Sequence, residues 1–142
     1  MAIYITNIRS MHMYNAELNY AIMRSFRPTS GVTQVATLSP SWDLFKKYRE
    51  LSSRGEWNVE TFNKVYVPQF IKEMQTSEAQ MILHEIVRRS NVGLSIALGC
   101  VCINEEMCHR SIVSGILQGI GCEVITETGN NYEKYYEMWG MK

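Results

Sequence analysis

Residues 94–102, with the sequence LSIALGCVC, constrain the fold more than any other part of the chain. Apart from Ser95, every side chain in this segment is small or apolar. A strand that is apolar on both faces is typical of the centre of a parallel sheet that helices cover on two sides. We therefore predict an α/β fold in which this strand lies near the middle of the sheet and ends at Cys102.

A helix and a further strand are predicted to follow the central strand. The apolar residues of the helix recur at intervals of one, three or four positions: Ile112, Val113, Ile116, Leu117 and Ile120. Gly119 and Gly121 are expected to end it, and residues 122–126 (CEVIT) have the composition of a strand. Strand, helix and strand in this order predict a parallel, right-handed βαβ unit near the carboxyl terminus.

The first forty residues are predicted to supply two more strands. Residues 2–8 (AIYITNI) and 18–26 (LNYAIMRSF) are rich in apolar, aromatic and β-branched side chains. The second segment stops at Arg27-Pro28, where proline disfavours continued pairing. Residues 29–39 are predicted to be a loop or an irregular extended segment.

Three helices are predicted between the second strand and the central one. The first starts at Ser39-Pro40-Ser41, because serine caps helices and proline suits a first turn. Asn58 is expected to cap the second helix, which Pro68 should kink, and Ser77 to cap the third. Residues 129–139 are predicted to form a short closing helix. Together the segments predict one compact α/β domain over residues 1–142, with a mostly parallel central sheet flanked by helices.

Composition excludes several classes of partner. The 14 basic and 14 acidic residues give a formal net charge of zero, which argues against bulk binding of nucleic acid or of an anionic membrane. No apolar run approaches the roughly 20 residues needed to cross a bilayer. The start of the chain lacks the pattern of a signal peptide, so we expect the cytoplasm and free thiols for the four cysteines. No cofactor is predicted.

The candidate site is the segment 98–112, LGCVCINEEMCHRSI, which holds three of the four cysteines. In open α/β sheets, ligands bind beyond the carboxyl ends of the strands and beside the following helix, whose first amides are unpaired. We predict that Cys108 is a nucleophile, that His109 transfers protons, and that Arg110 and Cys102 contact an anionic ligand.

Two other interpretations of this segment remain open. Cys102 and Cys108 could simply pack in the core while His109 caps the helix or lies at the surface. Alternatively, Cys100, Cys102, Cys108 and His109 offer four ligands of the type that zinc prefers, although C-x-C-x₅-C-H is not the usual paired spacing.

Arginines elsewhere could reach the same pocket. Arg9 follows the first predicted strand, and Arg24 and Arg27 flank the end of the second. If these strands run parallel to the central one, all three lie near one edge of the sheet, and we expect Arg24 above all to join Arg110 over the pocket. Tyr48 and Tyr66 are interpreted as packing at the edge of the core.

The segment LGCVCINEEMCHRSIVSGILQGIG resembles the closing motif of the domain of unknown function 488 family, in which Cys-His-Arg follows an apolar strand ending in cysteine. LSPSWDLFKKYRE, WNVETFNKVYVPQFIKEM, MAIYITNI and AIMRSFRP are similar to other segments of that family. The resemblance implies a compact α/β domain and a site at Cys102, Cys108, His109 and Arg110. It also implies a prokaryotic or viral source, and it carries no substrate with it.

Three functions follow as hypotheses. The first is a small cytoplasmic enzyme that acts on a nucleotide-like or other anionic small molecule, with Arg110 and Arg24 as anion clamp. The second is a binding protein without chemistry, such as a viral protein that sequesters a nucleotide signal or blocks a host factor. The third is a structural zinc module.

Overall fold

A five-stranded parallel sheet forms the centre of the protein, which we describe from a computed structural model over residues 2–140. Its strands are β1 (Ile3–Asn7), β2 (Leu18–Ala21), β3 (Thr33–Gln34), β4 (Ile96–Cys100) and β5 (Val124–Thr126). They are arranged in the order β3-β2-β4-β1-β5, and every neighbouring pair is parallel. The predicted α/β class and the central position of the strand near residue 98 are therefore confirmed.

All five residues of β4 are buried, because both faces of the strand are covered. A 3₁₀ helix, Ile8–Tyr14, lies against one face. A Cβ atom built on Gly99 would come within 2.6 Å of the end of the Met11 side chain and 3.0 Å of Ile8, so a larger residue there would have to displace the Met11 side chain. The opposite face meets the helix that follows β4.

In the described residues, six α-helices surround the sheet: α1 (Trp42–Ser53), α2 (Val59–Thr61), α3 (Val67–Met74), α4 (Ser77–Asn91), α5 (His109–Ile120) and α6 (Lys134–Gly140). A π-helical turn, Phe62–Tyr66, joins α2 to α3. Short 3₁₀ helices span Ala36–Leu38 and Glu105–Met107. No helix in residues 2–140 has both the length and the apolar character to span a membrane.

Capping residues define where the predicted helices begin. Ser41 accepts a hydrogen bond from the Leu44 amide, and Asn58 accepts one from Thr61, as expected of both caps. The predicted cap at Ser77 is wrong: the Thr76 hydroxyl accepts a hydrogen bond from the Ala79 amide, and Ser77 is the first residue of α4.

Pro68 does interrupt regular helix geometry, since the π-helical turn ends two residues before it.

Three strand predictions need correction. The strand predicted over residues 18–26 ends at Ala21. The segment 29–39, predicted to be a loop or an irregular extended segment, contains the two-residue strand β3, which pairs with β2. The central strand ends at Cys100, two residues before Cys102. The strands of the predicted βαβ unit are parallel, but β5 pairs with β1, which lies between it and β4. These differences arise because pairing partners, rather than local composition, decide where a strand ends.

The closing helix α6, which the sequence predicts, packs on α5 through two glycines. A Cβ atom at Gly115 would collide with the main chain of Tyr132, and one at Gly119 would collide with the Tyr136 ring. Gly119 therefore lies within α5 and does not end it; the left-handed residue that ends the helix is Gly121.

Candidate functional site

The register between β2 and β4 decides which residues meet at the carboxyl end of the sheet. Ala21 is paired with Gly99, and the Ile22 amide donates a hydrogen bond to the Gly99 carbonyl oxygen at 2.9 Å. The chain leaving β2 therefore runs beside the chain leaving β4. As a result, Met23 and Arg24 lie at the same cavity as Cys100.

Three thiols and one imidazole converge at this edge of the sheet, and we call them the Cys–His cluster: Cys100, Cys102, Cys108 and His109. One ligating atom of each lies within 4.8 Å of those of all the others. The Cys100 and Cys102 sulfur atoms are 3.6 Å apart, and His109 Nδ1 lies 3.6 Å from the Cys108 sulfur and 4.0 Å from that of Cys100. The four residues come from three places in the chain: Cys100 from the end of β4, Cys102 from the loop that follows, and Cys108 and His109 from the start of α5.

His109 is held in one orientation by the neighbouring strand. It is the first residue of α5, it is 3% exposed, and its Nε2 atom lies 2.5 Å from the Ile22 carbonyl oxygen. A carbonyl oxygen only accepts hydrogen bonds, so Nε2 carries the hydrogen. The Nδ1 atom therefore faces the thiols, and the Phe70 ring, 5.5 Å from the imidazole centre, packs beside it.

The close contacts shift the pKa values of the cluster in opposite directions. Hydrogen bonds from Cys102 and Cys108 lower the pKa of the Cys100 thiol far below its ordinary value, and the His109 charge adds to this effect. Burial raises the pKa of Cys108 well above that of a free thiol. Burial opposes protonation of His109, but the negative charge of Cys100, and hydrogen bonds that the imidazolium donates to Cys100 and Cys102, outweigh it and raise the pKa of His109 to about 10. Both directions favour a thiolate on Cys100 and a protonated imidazole on His109.

The same four atoms could instead hold a metal ion. A tetrahedral zinc ion with Zn–S bonds of about 2.3 Å and Zn–N bonds of about 2.0 Å requires ligand atoms about 3.5–3.8 Å apart. Three of the separations, of 3.6, 3.6 and 4.0 Å, are near that range, and the remaining pairs of ligating atoms lie within 4.8 Å of one another. The hydrogen bond to Ile22 leaves the Nδ1 lone pair of a neutral His109 free for such an ion.

A cavity of about 110 Å³, which we call the aromatic cleft, opens above the Cys–His cluster. Besides the cluster, it is lined by Met23, Arg24, Ser25, Pro40, Phe45, Tyr48, Trp57, Tyr66, Val101 and Met107. A cavity of about 150 Å³ in another protein holds one benzene molecule, so the enclosed part of the aromatic cleft suits a group no larger than a single ring. Only part of a nucleotide would fit.

Besides His109, the aromatic cleft is lined by one basic side chain of the described residues, that of Arg24. Its Nε atom donates to the Pro40 carbonyl oxygen at 3.0 Å, and its guanidinium carbon lies 5.7 Å from the centre of the Trp42 ring. Within residues 2–140, no protein group accepts a hydrogen bond from its two Nη groups. A fixed guanidinium with free donors is suited to binding an anionic group at the rim.

The comparisons with known proteins point to one family. A family model described as "DUF488-N3a: Active DUF488-N3 subclade" matches residues 6–121, which is most of the chain. The protein belongs to the DUF488 family. Neither a curated protein nor a solved structure matches the chain significantly.

In this DUF488 protein, the predicted site residues separate into two groups. Cys102, Cys108, His109 and Arg24 all line the aromatic cleft, as does Cys100. Arg110 does not: its side chain is 1% exposed, with Nη1 3.5 Å from the Cys100 carbonyl oxygen and Nη2 3.5 Å from a Glu127 carboxylate oxygen. The structure thus does not bring Arg110 and Arg24 together, because the first turn of α5 directs Arg110 into the protein. Arg9 and Arg27 are exposed.

Sequence reasoning missed the residues that hold the site in shape. Glu105 is buried, and its carboxylate accepts hydrogen bonds from the Glu127 amide and from the hydroxyls of Thr128 and Tyr132. This links the 3₁₀ turn before Cys108 to the loop after β5. In the sequence, Glu105 is indistinguishable from its exposed neighbour Glu106. The aromatic walls, including Tyr48 and Tyr66, carried a usable signal in their helical spacing.

Proposed function

We propose that this DUF488 protein is an enzyme that transfers a group from a small anionic molecule to a cysteine of the Cys–His cluster. One observation carries the proposal: the Cys100 sulfur lies buried, 4.0 Å from the oriented Nδ1 atom of His109, on the floor of a cleft that also contains Arg24. A thiol beside an imidazole is the arrangement that thiol-dependent enzymes use to form a nucleophile.

Cys100 is a better candidate for the nucleophile than Cys108, which the sequence predicted. Cys100 lies at the carboxyl end of the central strand, and both neighbouring thiols stabilise its negative charge. Cys100 and Cys108 are equally buried, at 2% and 1% exposed, but burial raises the pKa of the Cys108 thiol whereas the pKa of Cys100 is lowered. We assign Cys108 the role of a hydrogen-bond donor to Cys100, and His109 the role of proton donor to the leaving group.

The proposed substrate combines a ring or a similarly small apolar group with one negative charge. The lining of the aromatic cleft is mainly aromatic or sulfur-containing, which favours the apolar part. The two free Nη groups of Arg24 would bind the charge. In the reaction, the Cys100 thiolate attacks the electrophilic carbon or phosphorus atom, a bond to sulfur forms, and the bond to the leaving oxygen breaks. The leaving oxygen takes a proton from His109, and water later hydrolyses the covalent intermediate.

Alkylation with two reagents tests the nucleophile and the anion site separately. Iodoacetate carries a negative charge and iodoacetamide does not, and both modify thiolates. We expect Cys100 to react faster than Cys122 with both reagents, as measured by peptide mass spectrometry. We also expect a preference for iodoacetate over iodoacetamide that Arg24→Gln reduces by about fivefold, which corresponds to about 1 kcal/mol.

Arg27→Gln is the matched control for the anion site, because Arg27 is exposed and lies outside the aromatic cleft. Turnover is measured with 4-nitrophenyl acetate and 4-nitrophenyl phosphate, which share a ring and differ in charge. We expect release of 4-nitrophenolate that is lost in Cys100→Ser and kept in Cys122→Ser. If Cys100 reacts no faster than Cys122 and neither ester is cleaved, the proposed function is wrong.

A second candidate function, binding of a zinc ion, is supported by three thiols and one imidazole whose ligating atoms lie within 4.8 Å of one another, three of the separations being 3.6–4.0 Å. Elemental analysis of protein purified without chelator distinguishes the two. One molar equivalent of zinc, together with protection of Cys100, Cys102 and Cys108 from alkylation, would favour the metal centre. Metal-free protein with a reactive Cys100 would favour the enzyme.

A further inference from the structure

The Cys100 and Cys102 sulfur atoms are in direct contact, and this contact permits more than the stabilisation of negative charge on Cys100. They lie 3.6 Å apart, and the bond length of a disulfide is about 2.05 Å. A displacement of less than 2 Å would therefore join them. Both side chains line the aromatic cleft, so a small reagent that enters the cleft reaches both.

The two possible partners of Cys100 differ in how firmly their backbone is held. Cys108 is the residue before α5: its amide donates to the Glu105 carbonyl oxygen, and its carbonyl oxygen accepts from the Ser111 amide and hydroxyl. Cys102 lies in the segment between β4 and the 3₁₀ turn, where its carbonyl oxygen accepts one side-chain hydrogen bond, from Asn7. Cys102 is also half-buried, whereas Cys108 is buried. Movement toward Cys100 is thus easier for Cys102.

We propose that Cys100 and Cys102 form a reversible disulfide when a hydroperoxide enters the aromatic cleft. The Cys100 sulfur, as thiolate, attacks the peroxide: an S–O bond forms, the O–O bond breaks, and hydroxide or alkoxide leaves and is protonated. The Cys100 sulfur is thereby oxidised by two electrons to a sulfenic acid. The Cys102 sulfur then attacks it, an S–S bond forms, the S–O bond breaks, and the hydroxyl leaves as water with the Cys102 proton.

Formation of this disulfide would switch off the proposed transfer reaction, because the nucleophile would be consumed. A thiol reductant attacks the disulfide, forms a mixed disulfide and then its own disulfide, and restores both thiols. The modification is independent of the transfer reaction in its chemistry, although both use the Cys100 sulfur.

The test treats the full-length reduced protein with equimolar hydrogen peroxide, unfolds it in denaturant, blocks the remaining thiols with N-ethylmaleimide and maps peptides by mass spectrometry. We expect the peptide carrying Cys100 and Cys102 to lose two hydrogens, Cys108 and Cys122 to be alkylated, and dithiothreitol to reverse the change. In Cys102→Ser, a sulfenic acid on Cys100 should persist and be trapped by dimedone. Cys122→Ser is the matched control and should behave as the wild type.

A Cys100–Cys108 linkage, a disulfide between two molecules, or sulfinic acid on Cys100 in the wild type would each overturn the inference. Failure here and failure of the proposed function give different results. Fast carboxymethylation of Cys100 without a disulfide leaves the transfer reaction standing and removes the redox step. If the disulfide forms but Cys100 neither reacts with iodoacetate nor supports ester cleavage, the redox step stands and the transfer reaction is ruled out.

Discussion

The imidazole Nε2 atom of His109 lies 2.5 Å from the main-chain carbonyl oxygen of Ile22. This single contact joins the first residue of α5 to the chain leaving β2, and it decides which ring nitrogen faces the thiols. Because the carbonyl oxygen requires a hydrogen on Nε2, the Nδ1 atom is directed at Cys100 and Cys108 in both protonation states of the ring. The chemistry of the Cys–His cluster depends on this orientation.

The pH dependence of Cys100 alkylation should reveal the thiolate–imidazolium pair. A lowered thiol pKa means that the thiolate, which is the reactive form, persists as the pH falls. Between roughly pH 8 and pH 5, an ordinary thiol of pKa about 8.5 loses reactivity by more than about 100-fold, and we expect less than about tenfold for Cys100. Rates of iodoacetamide modification measured peptide by peptide check this.

Cys122 is the internal reference for that profile. It lies before β5, at the amino end of the parallel strands, whereas Cys100 lies at the carboxyl end, and burial raises the pKa of the Cys122 thiol. His109→Gln should move the Cys100 profile to higher pH, since the nearby positive charge is lost. Parallel profiles for Cys100 and Cys122 in the wild type would show that the pair does not form.

Arg110→Gln should mainly lower stability, whereas Arg24→Gln should mainly lower the preference for anions. Arg110 is buried between the Cys100 carbonyl oxygen and Glu127, so Arg110→Gln removes hydrogen bonds from the interior and should lower the free energy of unfolding by about 1–3 kcal/mol. Arg24→Gln should lower it by less than about 0.5 kcal/mol, since this side chain is only half-buried. Urea unfolding followed by circular dichroism measures both.

The iodoacetate preference should respond in the reverse order, with a loss in Arg24→Gln and little change in Arg110→Gln. A loss of preference in Arg110→Gln with unchanged stability would return Arg110 to the anion-binding role that the sequence predicted.

Glu105 should be necessary for the stability of the loops around the cluster. Its carboxylate accepts three hydrogen bonds in a buried position, including one from the Glu127 amide, which can only donate. Glu105→Gln places an amide group against these donors, and we expect a loss of about 1–3 kcal/mol in the free energy of unfolding. Glu106→Gln is the matched control, because Glu106 is exposed and its contact with Asn130 can be made by an amide oxygen. Equal stability of the two variants would contradict the prediction.

Gly115 should not tolerate a methyl group. A Cβ atom there would collide with the Tyr132 main chain, so Gly115→Ala must push α6 and its preceding loop away from α5. We expect a loss of about 1–3 kcal/mol despite the better helix propensity of alanine. Gly140→Ala, at a helical glycine whose Cβ would meet nothing within 4 Å, should change the melting temperature little. Thermal unfolding of both variants checks the prediction, which fails if Gly115→Ala melts as the wild type does.

The fold class could be predicted because hydrophobic pattern reports local burial. Residues 96–100 are apolar on both faces and form the central strand, and the α5 face of Ile112, Val113, Ile116 and Leu117 is fully buried. Asn58 and Ser41 cap helices through contacts within three residues. The end of β2 at Ala21 and the existence of β3 could not be predicted in this way, because both depend on which strand lies alongside.

The same distinction between local pattern and tertiary contact applies to the candidate site. The sequence by itself determined that Cys100, Cys102, Cys108 and His109 lie at the junction of a central strand and a helix, since they are close in the chain. Arg24 was expected at the pocket only on the condition that its strand runs parallel to the central one, and the tertiary structure decided that condition. Only the tertiary structure decided that Arg110 turns inward to Glu127 and that the Ile22 carbonyl oxygen orients His109. The physical reason is that these contacts connect residues far apart in the chain, and the order and register of the parallel strands determine which of them meet.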